Sequence, residues 1–269
     1  MKRTLYLLIA ISAMLIFNSC GHKRECIALF KKSFTTQDSV EQKKIWEDVI
    51  TKFPESEQAN YCRAALMGRP AFRERIRLLN EAIKENPDFA EAYNLRGLLK
   101  LERRFYKFAL QDFITASSID KEYAEAFYNK ANLYRIYRSM PEAMGAYDTA
   151  LMLKPDFSEA WLNRGVANDI WGHYKEAILD FNKAIELSPD NTEIWLDRGI
   201  VKGKLKDYKG SLEDLKSALK LNPAYGKAWQ NKGITEYMAG MTDSACVSWK
   251  KAADLGVADA SKAIAKYCK

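Results

Sequence analysis

Residues Glu159–Gly165 read EAWLNRG, and variants of this phrase recur along the chain at a fixed spacing. The strong copies, each 34 residues after the one before, begin at Glu91, Glu125, Glu159, Glu193 and Lys227. A weaker copy, QANYCRA, begins at Gln58, 33 residues before the first of them. A constant period of this length predicts repeated units that must stack, because one unit alone is too small to bury its apolar face.

Each unit carries further columns of residues that repeat with the same period. Apolar residues are spaced three and four apart, as in EAILDFNKAIEL from Glu176, so both halves of a unit predict amphipathic helices. Proline ends the second helix of most units, at Pro87, Pro155, Pro189 and Pro223. A small column contains Gly97, Ala131, Gly165, Gly199 and Gly233. A large column contains Phe113, Tyr147, Phe181, Leu215 and Trp249. We expect the small residues to let two helix backbones approach and the large ones to fill the space beside them.

This 34-residue pattern resembles the tetratricopeptide repeat (TPR). The features that carry the resemblance are an early aromatic residue such as Trp161, the small residue four positions later, the turn Gly172-His173-Tyr174, and then alanine, an aromatic residue, alanine and proline. Five consecutive units from about residue 90 to residue 255 show it. The resemblance implies an all-α fold, a right-handed superhelical stack of helix-turn-helix repeats with a C-terminal capping helix.

The domain organisation follows from the extent of the repeats. We expect a signal peptide at residues 1–19, an N-terminal tether at 20–37, a TPR solenoid at 38–255 and a capping helix at 256–269. Within the solenoid, residues 90–255 hold the strong repeats and residues 38–89 hold divergent ones. The stretch IWEDVITKFP from Ile45 resembles the second helix of a unit whose first helix is degenerate.

The first residues, MKRTLYLLIAISAMLIFNSC, have the layout of an export signal. Lys2 and Arg3 precede an apolar run that is shorter than the roughly 20 residues that span a bilayer. Phe17 disfavours ordinary cleavage after Ser19. The segment instead resembles a bacterial lipoprotein signal, which implies that Cys20 is lipidated and becomes the new N-terminus. Phe17 and Asn18 depart from the usual motif, so ordinary secretion and an uncleaved anchor stay as alternatives.

Four further cysteines follow, of which two have a geometric relation. Cys246 and Cys268 lie at equal distances from residue 257, where a turn should separate two helices, so the two side chains should face each other in a helical hairpin. We therefore predict a disulfide between them, the alternative being two small buried apolar residues. No such argument links Cys26 with Cys62.

Residues suited to catalysis or to metal binding are scarce. The chain has 2 histidines, His22 and His173, and its glycines are not clustered in a phosphate-binding loop. A zinc site or a Ser-His-Asp arrangement has almost nothing to build on. We therefore expect no enzyme activity, no catalytic residue, no metal, no cofactor and no small-molecule substrate.

Charge gives a weaker indication. The formal net charge is +7, and it is +5 without Lys2 and Arg3. Basic residues gather near both ends, at Arg63, Arg69, Arg73, Arg75 and Arg77 and at Lys250, Lys251, Lys262, Lys266 and Lys269. Such patches can face anionic lipid, although a solvated helix face is the simpler interpretation. No basic and aromatic interleaving typical of a nucleic-acid module is present, so no nucleic-acid partner is expected.

A cation precedes the small residue in every copy. Where that cation is arginine, at Arg96, Arg164 and Arg198, an aspartate follows 16 residues later, at Asp112, Asp180 and Asp214. The copies with Lys130 and Lys232 have Ala146 and Ser248 there instead. We expect ion pairs between helices, using the planar guanidinium fork. Arg63, followed by apolar Leu78, is the exception.

The TPR resemblance implies a concave groove, lined by the first helix of each pair, that holds a peptide or a partner helix. The residues carried over to this groove are Tyr128, Asn129, Asn132, Arg135, Leu162, Asn163, Asp169, Leu196, Asp197, Gln230 and Asn231, flanked by Val166, Ile200, Lys204, Ile234 and Tyr237. The ladder Asn129, Asn163, Asp197 and Asn231 resembles those that hydrogen-bond a peptide backbone. A solvated groove without a ligand is the alternative.

Together these features predict a lipoprotein of the bacterial cell envelope, on the outer membrane facing the periplasm. It would act as an adaptor, held to the membrane by lipid and binding a protein partner in its groove. The alternative is a structural protein that self-assembles through its terminal helices, against which Lys262, Lys266 and Lys269 argue by making the last helix polar. A cytoplasmic repeat protein, with free thiols at Cys246 and Cys268, is a third possibility.

Overall fold

The computed structural model describes residues 22–36 and 38–268, and within them every regular element is a helix. The α-helices are α1 (residues 22–35), α2 (Ser39–Lys52), α3 (Glu57–Leu66), α4 (Phe72–Glu85), α5 (Ala90–Glu102), α6 (Tyr106–Ile119), α7 (Ala124–Ile136), α8 (Met140–Leu153), α9 (Ser158–Trp171), α10 (Tyr174–Leu187), α11 (Thr192–Lys204), α12 (Tyr208–Leu221), α13 (Gly226–Met238), α14 (Thr242–Asp254) and α15 (Ala258–Tyr267). A short 3-10 helix, Arg69–Ala71, precedes α4. The all-α prediction is confirmed for these ranges, whereas the signal peptide and Cys20 lie outside them.

The chain divides into two compact units, one up to Ala126 and one from Phe127. In unit 1, α2 to α6 pack in sequence order, and in unit 2 the same holds from α8 to α15. None of the helices in residues 22–36 and 38–268 is both long and apolar enough to cross a membrane.

A left-handed residue closes the turn within several pairs. Gly172 has φ 89°, and the amide of His173 donates to the Asn168 carbonyl at 2.8 Å. This is the Schellman ending, which favours glycine because a Cβ is strained there. The equivalent position holds Arg104 at φ 61°, Arg138 at φ 59° and Lys206 at φ 64°, so three cations occupy a conformation that costs each of them about 1 kcal/mol.

In unit 2, the tryptophans near the start of the first helices link each helix pair to the one before it. The indole N–H of Trp161 donates to the Pro155 carbonyl at 2.8 Å, and Trp195 does the same to Pro189. Proline therefore does more than stop a helix. Its carbonyl anchors the ring that begins the next pair.

The small and large columns pack as expected. A Cβ added to Gly165 would lie 2.7 Å from Cε1 of Phe181, and one added to Gly97 would lie 2.6 Å from Cε1 of Phe113. Real Cβ atoms do not approach so closely, so the aromatic ring occupies the space that the glycine leaves. Phe113 and Phe181 are fully buried, which places this contact in the core of each pair.

Most of the range predicted as an N-terminal tether, residues 20–37, is helical where the structure describes it. Residues 22–35 form α1, in which Cys26 and Phe30 are each 2% exposed. The Phe30 ring lies 5.1 Å from that of Tyr61, and the Trp46 indole donates to Ser33 Oγ at 2.9 Å. Helix α1 is thus the degenerate first helix that precedes the one at Ile45.

The C-terminal end of unit 2 is α15, in the predicted position of the capping helix. It buries Ala260 and sets Tyr267 against Trp249, with ring centroids 5.8 Å apart. Cys246 on α14 is disulfide-bonded to Cys268, as the spacing about residue 257 predicts, with Cα atoms 5.7 Å apart. Cys26 and Cys62 are free and buried.

Candidate partner-binding surface

The repeated arginines are structural, as the sequence pattern predicts. Arg164 Nη2 lies 2.6 Å from Asp180 Oδ1, whose side chain is 4% exposed, and the Arg198–Asp214 pair has the same geometry at 2.7 Å. The Arg96–Asp112 pair, at 2.7 Å, confirms the third. Burial raises the pKa of the Asp180 carboxyl, and hydrogen bonds from Arg164 and Asn168 oppose that rise.

Each arginine also contacts the second helix of the preceding pair, which the sequence analysis did not predict. Arg164 Nη1 lies 2.7 Å from Asp148 Oδ1 on α8, and Arg198 Nη1 donates to Asn182 Oδ1 on α10 at 2.6 Å. Each partner lies 16 residues before its arginine, so this fixed spacing in the sequence could have predicted the contact. One side chain therefore joins the second helices of two successive pairs and is not free to bind a partner.

Lysines at the same column find other partners. Lys232 donates to Ser248 Oγ at 2.9 Å and pairs with Glu236 within its own helix. Arg63, the exception in the pattern, donates to Asn60 Oδ1 and to the Pro54 carbonyl.

Two of the predicted groove residues belong to the core instead. Leu162 is 8% exposed and packs with a cluster that includes Phe181, and Leu196 is 3% exposed and packs with Leu215. Their position in α9 and α11 points them at the second helix of the pair. They cannot contact a ligand in the groove without displacing that packing.

The asparagine ladder is engaged within the chain. Asn163 Nδ2 donates to the Tyr128 hydroxyl at 2.8 Å and to the Glu159 carbonyl at 3.0 Å. Asn231 Nδ2 donates to the Lys227 carbonyl at 2.8 Å, and Asn129 is 8% exposed. Asn163 Nδ2 thus has an acceptor for each of its two hydrogens, and Asn231 Nδ2 has one acceptor. Both can offer a ligand the side-chain oxygen as an acceptor.

Tyr128, Asn132 and Arg135 share one polar cluster on α7 and α8. The Tyr147 hydroxyl donates to Asn132 Oδ1 at 2.5 Å, and burial raises the pKa of Tyr147. The Tyr128 ring lies 4.7 Å from that of Phe157. Arg135 Nε is buried and has no hydrogen-bond partner. The structure brings these predicted residues together, with Tyr128 also touching Asn163.

The residues Asp169, Asp197 and Lys204 form an electrostatic cluster on α9 and α11. Lys204 Nζ lies 2.6 Å from Asp169 Oδ1. Burial chiefly, together with the charges of Glu193 and Asp169, raises the pKa of Asp197 to about 7 against the opposing charges of Lys227 and Lys204. Asp197 stands where its neighbours in the column have asparagine, so the chain holds a carboxyl in a place suited to a neutral amide.

An apolar cavity of about 300 Å³ lies between α11, α12 and α13. Its walls are Ile200, Gly203, Lys204, Tyr208, Asn231, Ile234, Thr235 and Met238. Ile234 and Met238 are 43% and 58% exposed, which is high for aliphatic side chains. Nearby in sequence, Gln230 Oε1 is buried without a hydrogen-bond partner. The cavity brings together several predicted groove residues and adds Tyr208 and Met238. Met238 could have been found from the sequence, because it lies one helical turn after Ile234.

A larger cavity of about 620 Å³ is lined by residues of α8, α9 and α10. It contains the Arg164–Asp180 pair and the stacked rings of Trp171 and His173, 4.3 Å apart. Its central charges are therefore committed to holding the helices together.

Metal binding finds no support in residues 22–36 and 38–268, where no group of three or more His, Cys, Asp or Glu side chains could hold an ion. Burial raises the pKa of the Cys62 thiol, and burial also raises that of Cys26, so both thiols stay protonated near neutral pH.

Comparison with known proteins agrees with this geometry. Models of the tetratricopeptide repeat match residues 158–191 and 192–225. No curated protein matches at a significant level. Among solved structures, the TPR protein YrrB, described as having an unusual peptide-binding site, aligns with a TM-score of 0.60 and 21% identity over 70% of this chain and 97% of its own.

Two further structures share the fold. MamA from Desulfovibrio magneticus RS-1 aligns with a TM-score of 0.59 and 18% identity, over 62% of this chain and 94% of its own. PilW, a type IV pilus biogenesis factor, aligns with a TM-score of 0.58 and 21% identity, over 62% of this chain and 77% of its own. Identities this low establish likeness of fold alone.

Proposed function

The chain is a tetratricopeptide repeat protein, and on that premise we propose that it is an adaptor of the bacterial cell envelope. Cys20 carries the lipid that holds it to the outer membrane, on the periplasmic side. The apolar cavity between α11, α12 and α13 binds a peptide or helix of a protein partner. Stacked helix pairs generally serve as protein-interaction scaffolds, which supports the adaptor role.

The observation that carries the binding proposal is the exposure of Ile234 and Met238 beside an open cavity. An aliphatic side chain of a partner helix can enter it and bury both residues, worth about 25 cal/mol per Å² of apolar surface. Asn231 Oδ1 offers an acceptor for a backbone N–H group at the rim. The peptide-binding site described for YrrB is consistent with such a ligand on this fold.

The anchor proposal rests on the sequence around Cys20. A lipidated residue there would lie two positions before residue 22, where the described part of α1 starts. More than one acyl chain is needed for a stable hold, and a lipidated N-terminal cysteine provides this when it carries several.

Site-specific photo-crosslinking tests the binding surface. A photoreactive residue replaces Met238 in one variant and Val247, 59% exposed on α14 and outside the cavity, in the other. We expect one protein to crosslink from position 238 in intact cells, not from 247, and to be lost on Ile234→Asp. Equal products from both positions would rule the cavity out as the binding surface.

Metabolic labelling with an alkyne fatty acid tests the anchor. We expect label on the wild-type protein and none on Cys20→Ala. An unlabelled wild type, or a labelled Cys20→Ala variant, would reject lipidation at this residue.

A further inference from the structure

The turns at one edge of unit 1 carry a cluster of cations that form no ion pair within the described residues. Arg69, Arg73, Arg103, Arg104 and Lys107 are all exposed. None of these five pairs with an acidic side chain in the ranges that the structure describes. We call these five residues the basic edge. Four of them are arginines, the side chain best suited to bidentate binding of carboxylates.

Acidic neighbours do not neutralise this charge. Glu74 is held by Arg77, whose Nε donates to Oε2 at 2.8 Å and whose Nη2 donates to Oε1 at 2.6 Å. Glu102 lines a cavity together with Arg69 and Arg103, so the cations there outnumber it. Other cations of unit 1 are committed elsewhere, since Arg96 and Lys100 both pair with Asp112. The basic edge therefore keeps an excess of positive charge that an outside partner can use.

Exposed aromatic side chains accompany the arginines. Phe105 is 49% exposed and Phe108 is 63% exposed. The Phe72 and Phe105 rings lie 6.3 Å apart, and Arg103 Cζ lies 5.1 Å from the centre of the Phe72 ring. Between the turns is a cavity of about 500 Å³, lined by Pro70, Ala71, Phe72, Arg73, Glu74, Arg103 and Phe105. This space is large enough for a partner's apolar side chain, and guanidinium groups stand at its rim.

The position of the basic edge bears on which anionic partner it meets. The His22 ring at the start of the described part of α1 lies 5.9 Å from that of Phe53, just before α3 begins. Arg69 and Arg73 follow the end of α3, which has 10 residues and so separates the two places by about 15 Å. If Cys20 is lipidated as proposed, the bilayer lies at the His22 end and the basic edge faces away from it. This step rests on the proposed function.

We infer that the basic edge is a second binding site, for an acidic segment of a protein partner that inserts one apolar or aromatic side chain into the cavity. Carboxylates of the segment pair with Arg69, Arg73 and Arg103 at the rim, and the inserted side chain packs on Phe72 and Phe105. A lipid headgroup layer would satisfy the arginines but would leave the cavity without an occupant. The partner's acidic charge complements an edge that the chain itself leaves positive.

Fluorescence anisotropy with a defined probe tests the inference. The full-length chain in neutral detergent is titrated into a fluorescein-labelled, glutamate-rich peptide with one central phenylalanine. A second peptide has glutamine in place of every glutamate, and a third has serine in place of the phenylalanine. We expect the first peptide to bind at moderate salt, and both changes to weaken it by about tenfold or more, which is the effect of losing one charge-assisted contact or one buried ring.

Matched variants distinguish binding at the basic edge from a general effect of net charge. Arg69→Gln with Arg103→Gln removes two cations of the basic edge, whereas Arg138→Gln with Lys206→Gln removes two exposed cations from turns of unit 2. The first pair should weaken the peptide by at least about tenfold and the second by less than about twofold. Phe105→Ser should weaken it without changing net charge.

Three outcomes would overturn the inference: no binding of the first peptide, equal loss in the two double variants, or no effect of Phe105→Ser. Vesicles of phosphatidylglycerol and phosphatidylethanolamine form a parallel arm. If they bind through Arg69 and Arg103 while the peptide does not, the edge is a lipid surface instead. The peptide assay needs neither the lipid on Cys20 nor the cavity at Ile234, so a negative result there is distinct from failure of the proposed function.

Discussion

At the scale of single residues, the glycines of the small column show how closely the two helices of a pair pack. A Cβ at Gly165 would lie 2.7 Å from Phe181, so Gly165→Ala should lower the free energy of unfolding by about 1–3 kcal/mol, although alanine is the better helix former. Gly145 on α8 has nothing within 4 Å of such a Cβ, and Gly145→Ala should raise stability by about 0.5–1 kcal/mol. Urea denaturation of both variants checks the opposite signs. A stabilised Gly165→Ala variant would mean that Phe181 moves aside.

Asp197 should make stability depend on pH. Its carboxyl has a pKa of about 7 in the folded protein, against 3.8 for an unperturbed aspartate, so between these values the folded protein holds more protons than the unfolded chain. The free energy of unfolding therefore falls as the pH rises from about 4 to about 7 and is constant above that window. Asp197→Asn, which restores the amide of the column, should be more stable than wild type by up to about 4 kcal/mol at about pH 8, the equivalent of the difference between the two pKa values.

A second measurement at low pH is the control for this prediction. At about pH 4 the wild-type carboxyl is protonated in the folded protein, so the two proteins should differ least. Urea titrations at both pH values measure the gap, with the exposed Asp156→Asn as a variant that should show none. A gap of equal size at both pH values would show that the gain of Asp197→Asn has another cause than ionisation.

At the scale of the helix pair, we expect Arg164, which joins α8, α9 and α10, to contribute strongly to the free energy of unfolding. Arg164→Ala leaves Asp180 buried without its main partner and should cost about 3 kcal/mol. Replacing both residues, as Arg164→Met with Asp180→Leu, should recover most of the loss because no unpaired charge remains. Equilibrium unfolding of the two variants measures this. A double variant as unstable as the single one would show that the loss comes from the missing ion pair itself and not from leaving Asp180 buried without a partner.

The same pairs show what the sequence could and could not predict. The period, the helices and the Arg164–Asp180 contact follow from columns of residues, because every unit meets the same neighbours. Leu162 and Leu196 were misplaced because one helical step decides between groove and core, and a family pattern does not resolve that step. Helix α1 was missed for a different reason. Its apolar positions, such as Phe30, face a partner outside the strong repeats, so no period marked them.

The candidate site was predictable only in outline. The asparagine column was visible, yet the bond from Asn163 to Tyr128 joins residues 35 apart in different pairs, and spacing alone does not show which donors are already used. The cavity near Ile234 depends on side-chain shape at Tyr208 and Met238. Exposure and free hydrogen-bonding capacity are properties of the packed chain, and they are what separate binding residues from structural ones.

At the scale of the whole molecule, a stack of pairs has stability that is mainly local, since each pair contacts its neighbours along the chain. All-or-none unfolding is therefore not assured, and a change at one end need not reach the other. The C-terminal end offers the cleanest case. Helix α15 fully buries one residue, Ala260, and packs on α14 through the half-buried Ile264 and Tyr267, so the disulfide to α14 adds to a small apolar contact.

Reduction of that disulfide should release α15 first. The bond closes a loop with a sequence separation of 22, which the chain-entropy account values at about 3 kcal/mol. Hydrogen exchange should show lost protection in α15 and the end of α14, a smaller loss in α13, and none in α9 and α10, because each step depends on its neighbour. The double variant Cys246→Ser with Cys268→Ser should reproduce the pattern without reductant. Uniform loss across unit 2 would instead mean that its pairs unfold as one cooperative body, and the cavity at Ile234 would then depend on the disulfide as well.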